Sequence, residues 1–339
     1  VAALGLHTWF GKPLSVNWFY TRVFVQFALD NPEYLTALRI FEPLGIRGHN
    51  ARLADGSQAH EDKTFTWLRD TQATLRRYDP SGFSGQDRLS YDIFSYYVDD
   101  QVKAERWRHH AWPVNQLLGV HTSLPNLMTQ QQQINDATDA EHYIARLNGF
   151  PRRFAEAVTD LKAREAKGIL PPRFAVEKVL KQIRDFTADG ASNNLLTGNL
   201  RDKLAKLPAD RLSATERASL LSRAEAAVAN SVLPAYAGLR AYFETLLGKP
   251  LGNDGVWALP DGAAYYQQRI ESNTTTTMTA KQIHAIGRDE VARVGAEMDR
   301  ILAQAGYTTG TRSERIAALA KSPSQRYPDS PEGRAQILK

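Results

Sequence analysis

The chain has 339 residues, 42% of them hydrophobic and 23% charged, which suits a large-cored globular protein and not a disordered one. It has no cysteine, so disulfides, thiolate metal sites and cysteine nucleophiles are excluded. Its 42 basic and 37 acidic residues give a formal charge of +5 without a basic block, so no nucleic-acid partner is expected, and no apolar run reaches the roughly 18 residues of a membrane span.

The first residues, Val1–Leu6, start without methionine. They read either as the trailing end of a removed signal or anchor, or as an arbitrary boundary. Ser15 is placed to cap a helix over Ser15–Asp30, with Val16, Phe19, Tyr20, Val23, Phe24 and Phe27 on one stripe. Asn31-Pro32 opens a second helix with proline at its first position. Gly45–Ser57 reads as a polar, mobile loop. A helix over Gln86–Glu105 follows, carrying Leu89, Ile93, Tyr96, Tyr97 and Val102 at helical spacing. Ala111–Pro125 is the main irregular stretch, and Gln130–Gln133 is a short low-complexity run.

Thr138 with Glu141, Ser213 with Glu216 and Thr311 with Glu314 have capping-box spacing. Pro171-Pro172 leads into a helix over Pro172–Phe186, and Gly168 and Gly248 stand where helices stop. Pro234 falls inside a helical pattern that it should kink or split. Gly255–Pro260 reads as a short extended piece, and a long helix is expected over Ala280–Ala303. At the end, Ser330 and Pro331 start a helix that runs about two turns. The expected fold is mainly α, a large multi-helix array with little sheet. It is either one helical domain over 1–339 or the N-terminal part of a larger one, with N-terminal helices and a loop over 1–57 and a helical body over 58–339.

Chemistry is sparse. None of the eight histidines (His7, His49, His60, His109, His110, His121, His142 and His284) has another four residues away, so the two-ligand helix face of many zinc enzymes is absent. His60-Glu61 begins such a helix, but Thr64 stands where the second ligand would be. There is no G-x-S-x-G turn, phosphate-binding glycine loop or dinucleotide fingerprint. No cofactor or metal ligand set can be assigned.

The stretches "RLSYDIFSYYVDDQ", "WPVNQLLGVHTSLPNLM", "DAEHYIARLNGFPRRF", "LPPRFAVEKVLKQI" and "WALPDGAAYYQQRIESNTTTTMTAKQIHAIGRDEVARVGAEM" resemble, in this order, the bacterial domain-of-unknown-function 885 family. The resemblance implies a lipoprotein-like or secreted protein of the cell envelope, with an anchor upstream of residue 1. It also implies the helical part of a gluzincin-like zinc metallopeptidase acting on peptides or peptide-like substrates. The family's H-E-x-x-P-G-H-H and E-G-W stretches are absent here. The resemblance is therefore to the N-terminal half or more of a member, and zinc is implied only for a full-length one. The chain alone is expected to be inactive.

Two readings of the threonine run Thr274–Thr277 stand. Thr279 with Gln282 fits a capping box ahead of a stripe of Ile283, Ile286, Val291, Val294, Met298, Ile301 and Leu302, so the run reads as an extended entry into a helix. Alternatively the run faces a substrate channel with Tyr265, Tyr266 and Arg269, whose hydroxyls and guanidinium suit a peptide carbonyl or carboxylate. Asn115, Gln116 and His121, polar groups in the irregular stretch, complete the candidate substrate contacts. A metal-free helical binding or scaffold protein of the envelope is the alternative to the hydrolase reading.

Overall fold

A computed structural model describes residues 8–252 and 255–338; Val1–Leu6 and His7 lie outside the described residues. Its helices are α1 Val16–Asp30, α2 Pro32–Leu38, α3 Gln58–Leu75, α4 Gly85–Ala104, α5 Val120–Asn126, α6 Ala137–Glu165, α7 Arg173–Thr187, α8 Leu195–Ala205, α9 Ala214–Ala227, α10 Leu233–Leu247, α11 Gly262–Thr274, α12 Ala280–Gln304, α13 Arg312–Lys321 and α14 Pro331–Ile337. No strand occurs among the described residues, so the fold is mainly α. The four long helices expected from spacing appear with each end within one residue of its expected place. The chain divides into two compact units, Val1–Tyr265 and Tyr266–Lys339.

In the first unit, α6 is the central element, and α9, α10 and the turn Gly48–Ala51 pack around it. Its fully buried Tyr143, Leu147, Phe150 and Leu161 recur at helical spacing, and α7 adds Val176, Val179, Leu180 and Ile183 to the same core. Gly168 ends α6 as the spacing predicts. Its φ of +75° lets its N–H reach the Glu165 carbonyl while Ile169 N–H reaches Arg164, which satisfies two otherwise orphaned carbonyls. A smaller cluster of Val16, Phe19, Val23, Leu75 and Tyr78 joins α1 to the end of α3.

Prolines shape two further places. Pro234 splits the helical run as expected: α9 ends at Ala227, a π turn covers Val228–Val232, and α10 starts at Leu233 with Pro234 in its first turn. Pro125 lies inside α5 and has no N–H for the His121 carbonyl four residues back. The buried Tyr236 hydroxyl supplies that bond at 2.6 Å. The stretch expected to be irregular through Pro125 is thus helical from Val120, because a donor from α10 replaces the one proline removes.

The loop expected to be mobile is pinned. Arg146 of α6 is 0% exposed. Its Nε donates to the Arg52 carbonyl, Nη1 to Gln132 Oε1, and Nη2 to Thr36 Oγ1 and the His49 carbonyl. Burial lowers its pKa to about 10, so it stays charged at neutral pH. Gln132, from the run that looked low-complexity, is fully buried and donates to the Asn50 carbonyl. Lys203 closes the adjoining π turn Leu127–Gln131 by donating to the carbonyls of Met128, Thr129 and Gln132.

Other expectations need correction. α6 is capped by Asp136, which accepts from Asp139 N–H, and not by Thr138; Glu141 instead pairs with Arg223. Asp136 starts the helix two residues earlier because its carboxylate also binds Arg47 at 2.7 Å. The capping boxes of Ser213 with Glu216, Thr279 with Gln282 and Thr311 with Glu314 all form. Gly255–Pro260 holds a 3₁₀ turn over Val256–Ala258 and is not extended. Thr274 is the last residue of α11, and Thr275 takes a left-handed φ of +55°, so only the end of the threonine run is an extended entry into α12.

Two expected stripes face solvent. On α4, Leu89 and Ile93 are 52% and 60% exposed, while Val98 of the same helix is buried. On α12, Val291 is 71% and Ile301 51% exposed, and only Leu302 of the stripe is buried.

Candidate functional site

Asn115 builds its own segment. Its Nδ2 donates to the Trp112 carbonyl, and its Oδ1 accepts from the N–H groups of Leu117 and Leu118 at 2.8 and 3.0 Å. The turn it makes brings the Gln116 carbonyl to Gln182 of α7, whose Nε2 donates to it at 2.9 Å. Gln182 Oε1 is then the acceptor for His121 Nε2, 3.0 Å away, so His121 carries its proton on Nε2. Burial lowers the His121 pKa and keeps the ring neutral. Its Nδ1 is buried without a partner and faces Gly119, where an added Cβ would sit 2.8 Å from it. Asn115, Gln116 and His121 therefore form one connected group, with His121 enclosed.

Tyr265 lies elsewhere in the first unit. Its ring packs 5.0 Å from His110 and 5.7 Å from Trp107. His110 Nε2 donates to the Pro260 carbonyl at 2.8 Å, and Arg106 pairs with Asp261. These contacts fix the start of α11 against the turn after α4. Tyr266 and Arg269 belong to the second unit. They lie one turn apart on α11, both exposed, and neither hydroxyl nor guanidinium has a partner among the described residues.

The described residues form no metal centre. Among the described residues no group of three or more His, Asp or Glu side chains could hold an ion. The histidines are dispersed into separate duties: His60 sits 3.1 Å from Asp30, His110 binds a carbonyl and His121 binds Gln182. Two cavities of about 570 and 470 Å³ lie along α3, lined in part by His60, Glu61 and Asp160. Sequence reading noticed His60-Glu61 only as an incomplete metal motif. Asp160 and Arg153 lie nearly a hundred residues away, and no local pattern links them to it.

The sequence profile of DUF885, described as a bacterial protein of unknown function, matches residues 36–339. Among solved structures, a "putative lipoprotein" from Colwellia psychrerythraea superposes with a TM-score of 0.82 at 25% identity, covering 94% of this chain and 57% of that protein. A "putative lipoprotein of unknown function" from Shewanella oneidensis gives 0.63 at 17% identity, covering 96% of this chain and 56% of its own, a likeness of fold alone. The chain thus spans little more than half the length of these two proteins. No curated protein matches it. No helix among the described residues is long and apolar enough to cross a membrane.

Proposed function

The chain belongs to the DUF885 family of bacterial proteins, and from that premise we propose that it is the helical, substrate-side part of a peptide hydrolase of the cell envelope. In this reading the metal-holding residues lie on polypeptide that this chain does not contain. The observation that supports its being one part of a larger fold is the open apolar stripe of α12, on a chain that covers 57% of a longer relative; the hydrolase part of the reading rests on the family resemblance. A stripe of aliphatic side chains at helical spacing is a face built for burial, and covering each such side chain contributes about 1.5–3 kcal/mol. The lipoprotein description of the relatives supports an envelope location.

Within this reading Tyr266 and Arg269 are the side chains best placed to hold a peptide carbonyl or carboxylate, since both are exposed and unpartnered. Asn115, Gln116, His121 and Tyr265 belong to the first unit and are not part of that pair. The test is the reading frame beyond Lys339 and the polypeptide it encodes. Bound zinc and peptide hydrolysis by the longer polypeptide, with neither in residues 1–339 alone, is the expected result. In the longer enzyme Arg269→Ala should raise KM more than it lowers kcat, because binding common to the ground and transition states is lost. A stop directly after Lys339, or a longer polypeptide without hydrolytic activity, would leave the metal-free binding protein as the better account.

A further inference from the structure

The two cavities along α3 share Asn31, His60 and Thr64 and so adjoin across these side chains, and are read as the two ends of one surface cleft. Its two ends differ in chemistry. One end is walled by Trp9, Phe27, Leu29 and Trp67. Trp67 is held in place by its Nε1 donating to Gln26 Oε1 at 3.0 Å. Phe27 and Leu29 are exposed, so the cavity is open and carries an aromatic and aliphatic patch, with Asp30 and Lys63 at its edge.

The other end is lined by Glu61, Asp160 and Arg153. Asp160 is held by one oxygen only: Oδ2 accepts from Arg164 Nε at 2.9 Å, and Oδ1 is buried without a partner. Glu61 has Arg108 on one side, 3.3 Å away. Burial, and after it the nearby Asp160, nonetheless raise its pKa against the opposing pull of Arg108. Arg153 is anchored by Nη1 to Glu156 Oε2 at 2.9 Å, while its Nε is buried and unpartnered. Gly56 makes room for that guanidinium, because a Cβ there would sit 1.6 Å from Nη1.

This end therefore offers two carboxyl groups and a guanidinium donor, each partly open, with the Asp160, Glu61 and Arg153 side chains 15%, 31% and 17% exposed. An ammonium with a carbonyl two bonds away satisfies all three, and an apolar side chain beside it fills the aromatic end. That set of groups is the amino terminus of a peptide whose first residue is hydrophobic. We propose that the cleft between α1, α3 and α6 binds the free N-terminus of such a peptide, with the ammonium on Asp160 and Glu61, the first carbonyl on Arg153 and the first side chain against Trp67 and Phe27. The inference rests on this cleft alone and does not require the hydrolase reading.

The test is titration of residues 1–339 with the dipeptide Phe-Ala and with N-acetyl-Phe-Ala, followed by tryptophan fluorescence and by calorimetry. Phe-Ala should bind with one-to-one stoichiometry, and acetylation should weaken it by about tenfold or more, because a charge-assisted bond is lost. Asp160→Asn should weaken Phe-Ala by about tenfold and leave the acetylated peptide unchanged. Glu61→Gln, which keeps the shape of the side chain, guards against an Asp160 variant that fails to fold and should weaken Phe-Ala in the same direction. Trp67→Leu should weaken Phe-Ala more than Gly-Ala. Equal affinity for the free and acetylated peptides, or no saturation by Phe-Ala at millimolar concentration with the helical ellipticity intact, would overturn the proposal. These outcomes leave the hydrolase reading unaffected, since that stands on the longer polypeptide's zinc and activity.

Discussion

Helices α7 and α12 carry the same kind of sequence and meet opposite fates. Both have aliphatic residues at spacings of three and four on an otherwise charged surface. In α7 the stripe of Ala175, Val176, Val179, Leu180 and Ile183 is buried against α10. In α12 the stripe of Ile286, Val291, Val294 and Ile301 is exposed, and only Gly295 and Leu302 are buried. Periodicity therefore identifies the face that is built for burial, but not the surface that buries it. The first unit supplies its own partners within the chain. The α12 stripe has none among the described residues of its own unit beyond the contacts near Leu302 and Asp299, where Arg312 and Arg315 hold α13.

The largest effect should come from the polar pin inside the finished unit. Arg146→Met removes the donors to the buried Gln132 amide and His49 carbonyl and to the part-buried Arg52 carbonyl, and it should cost about 3–5 kcal/mol in chemical denaturation. A loss under about 1 kcal/mol would mean that the Gly45–Ser57 loop holds itself.

Next in size is the direct contrast between the two stripes. Leu180→Ala should cost about 2–5 kcal/mol, whereas Ile301→Ala should change stability by no more than about 0.5 kcal/mol. Equal costs would break the comparison, because they would show that the α12 face is already covered in this chain.

Thr275→Gly should then stabilise by about 0.5–1 kcal/mol, since a β-branched residue holds a left-handed φ of +55° at the end of α11. A loss on that substitution would assign the strain some compensation in the hydroxyl contacts of Thr274 and Thr276.

The smallest effect concerns the cleft. Because the Glu61 pKa is raised in the folded state, folded chains hold more protons than unfolded ones as pH rises through the carboxylate range, and stability falls across that window. Below the unfolded pKa, near about 4.3, both states are protonated and the penalty is absent. Glu61→Gln should therefore raise Tm modestly at pH 7 and not at pH 3.5, the size being limited by partial solvent exposure. A gain of equal size at both pH values would place its cause in packing and not in charge.

Local features were legible in the sequence because their causes are local. Ser213 with Glu216, Thr279 with Gln282 and the stop at Gly168 each need only a few adjacent residues. Thr138 with Glu141 had the same spacing and failed, since Asp136 also gains Arg47 from far along the chain. The Arg146 pin draws on Thr36, His49, Arg52 and Gln132, and no periodicity connects those positions. The cleft is equally hidden, because Glu61 and Asp160 meet only once α3 packs beside α6. Of the residues singled out in advance, Asn115, Gln116 and His121 do gather, through Gln182, which no motif marked.

The most direct measurement uses the absence of cysteine. A single reporter thiol, Val294→Cys on the open face of α12, and a control, Asp289→Cys on its opposite, charged side, can be placed in residues 1–339 and in the longer polypeptide of the same reading frame. Their rates of maleimide labelling report whether each position is covered. The account predicts rapid labelling at both positions in the short chain. In the long one it predicts strong protection at 294 with little change at 289. Equal, rapid labelling at 294 in both polypeptides would show that the stripe is not an internal surface, and would contradict the reading of this chain as one part of a larger enzyme.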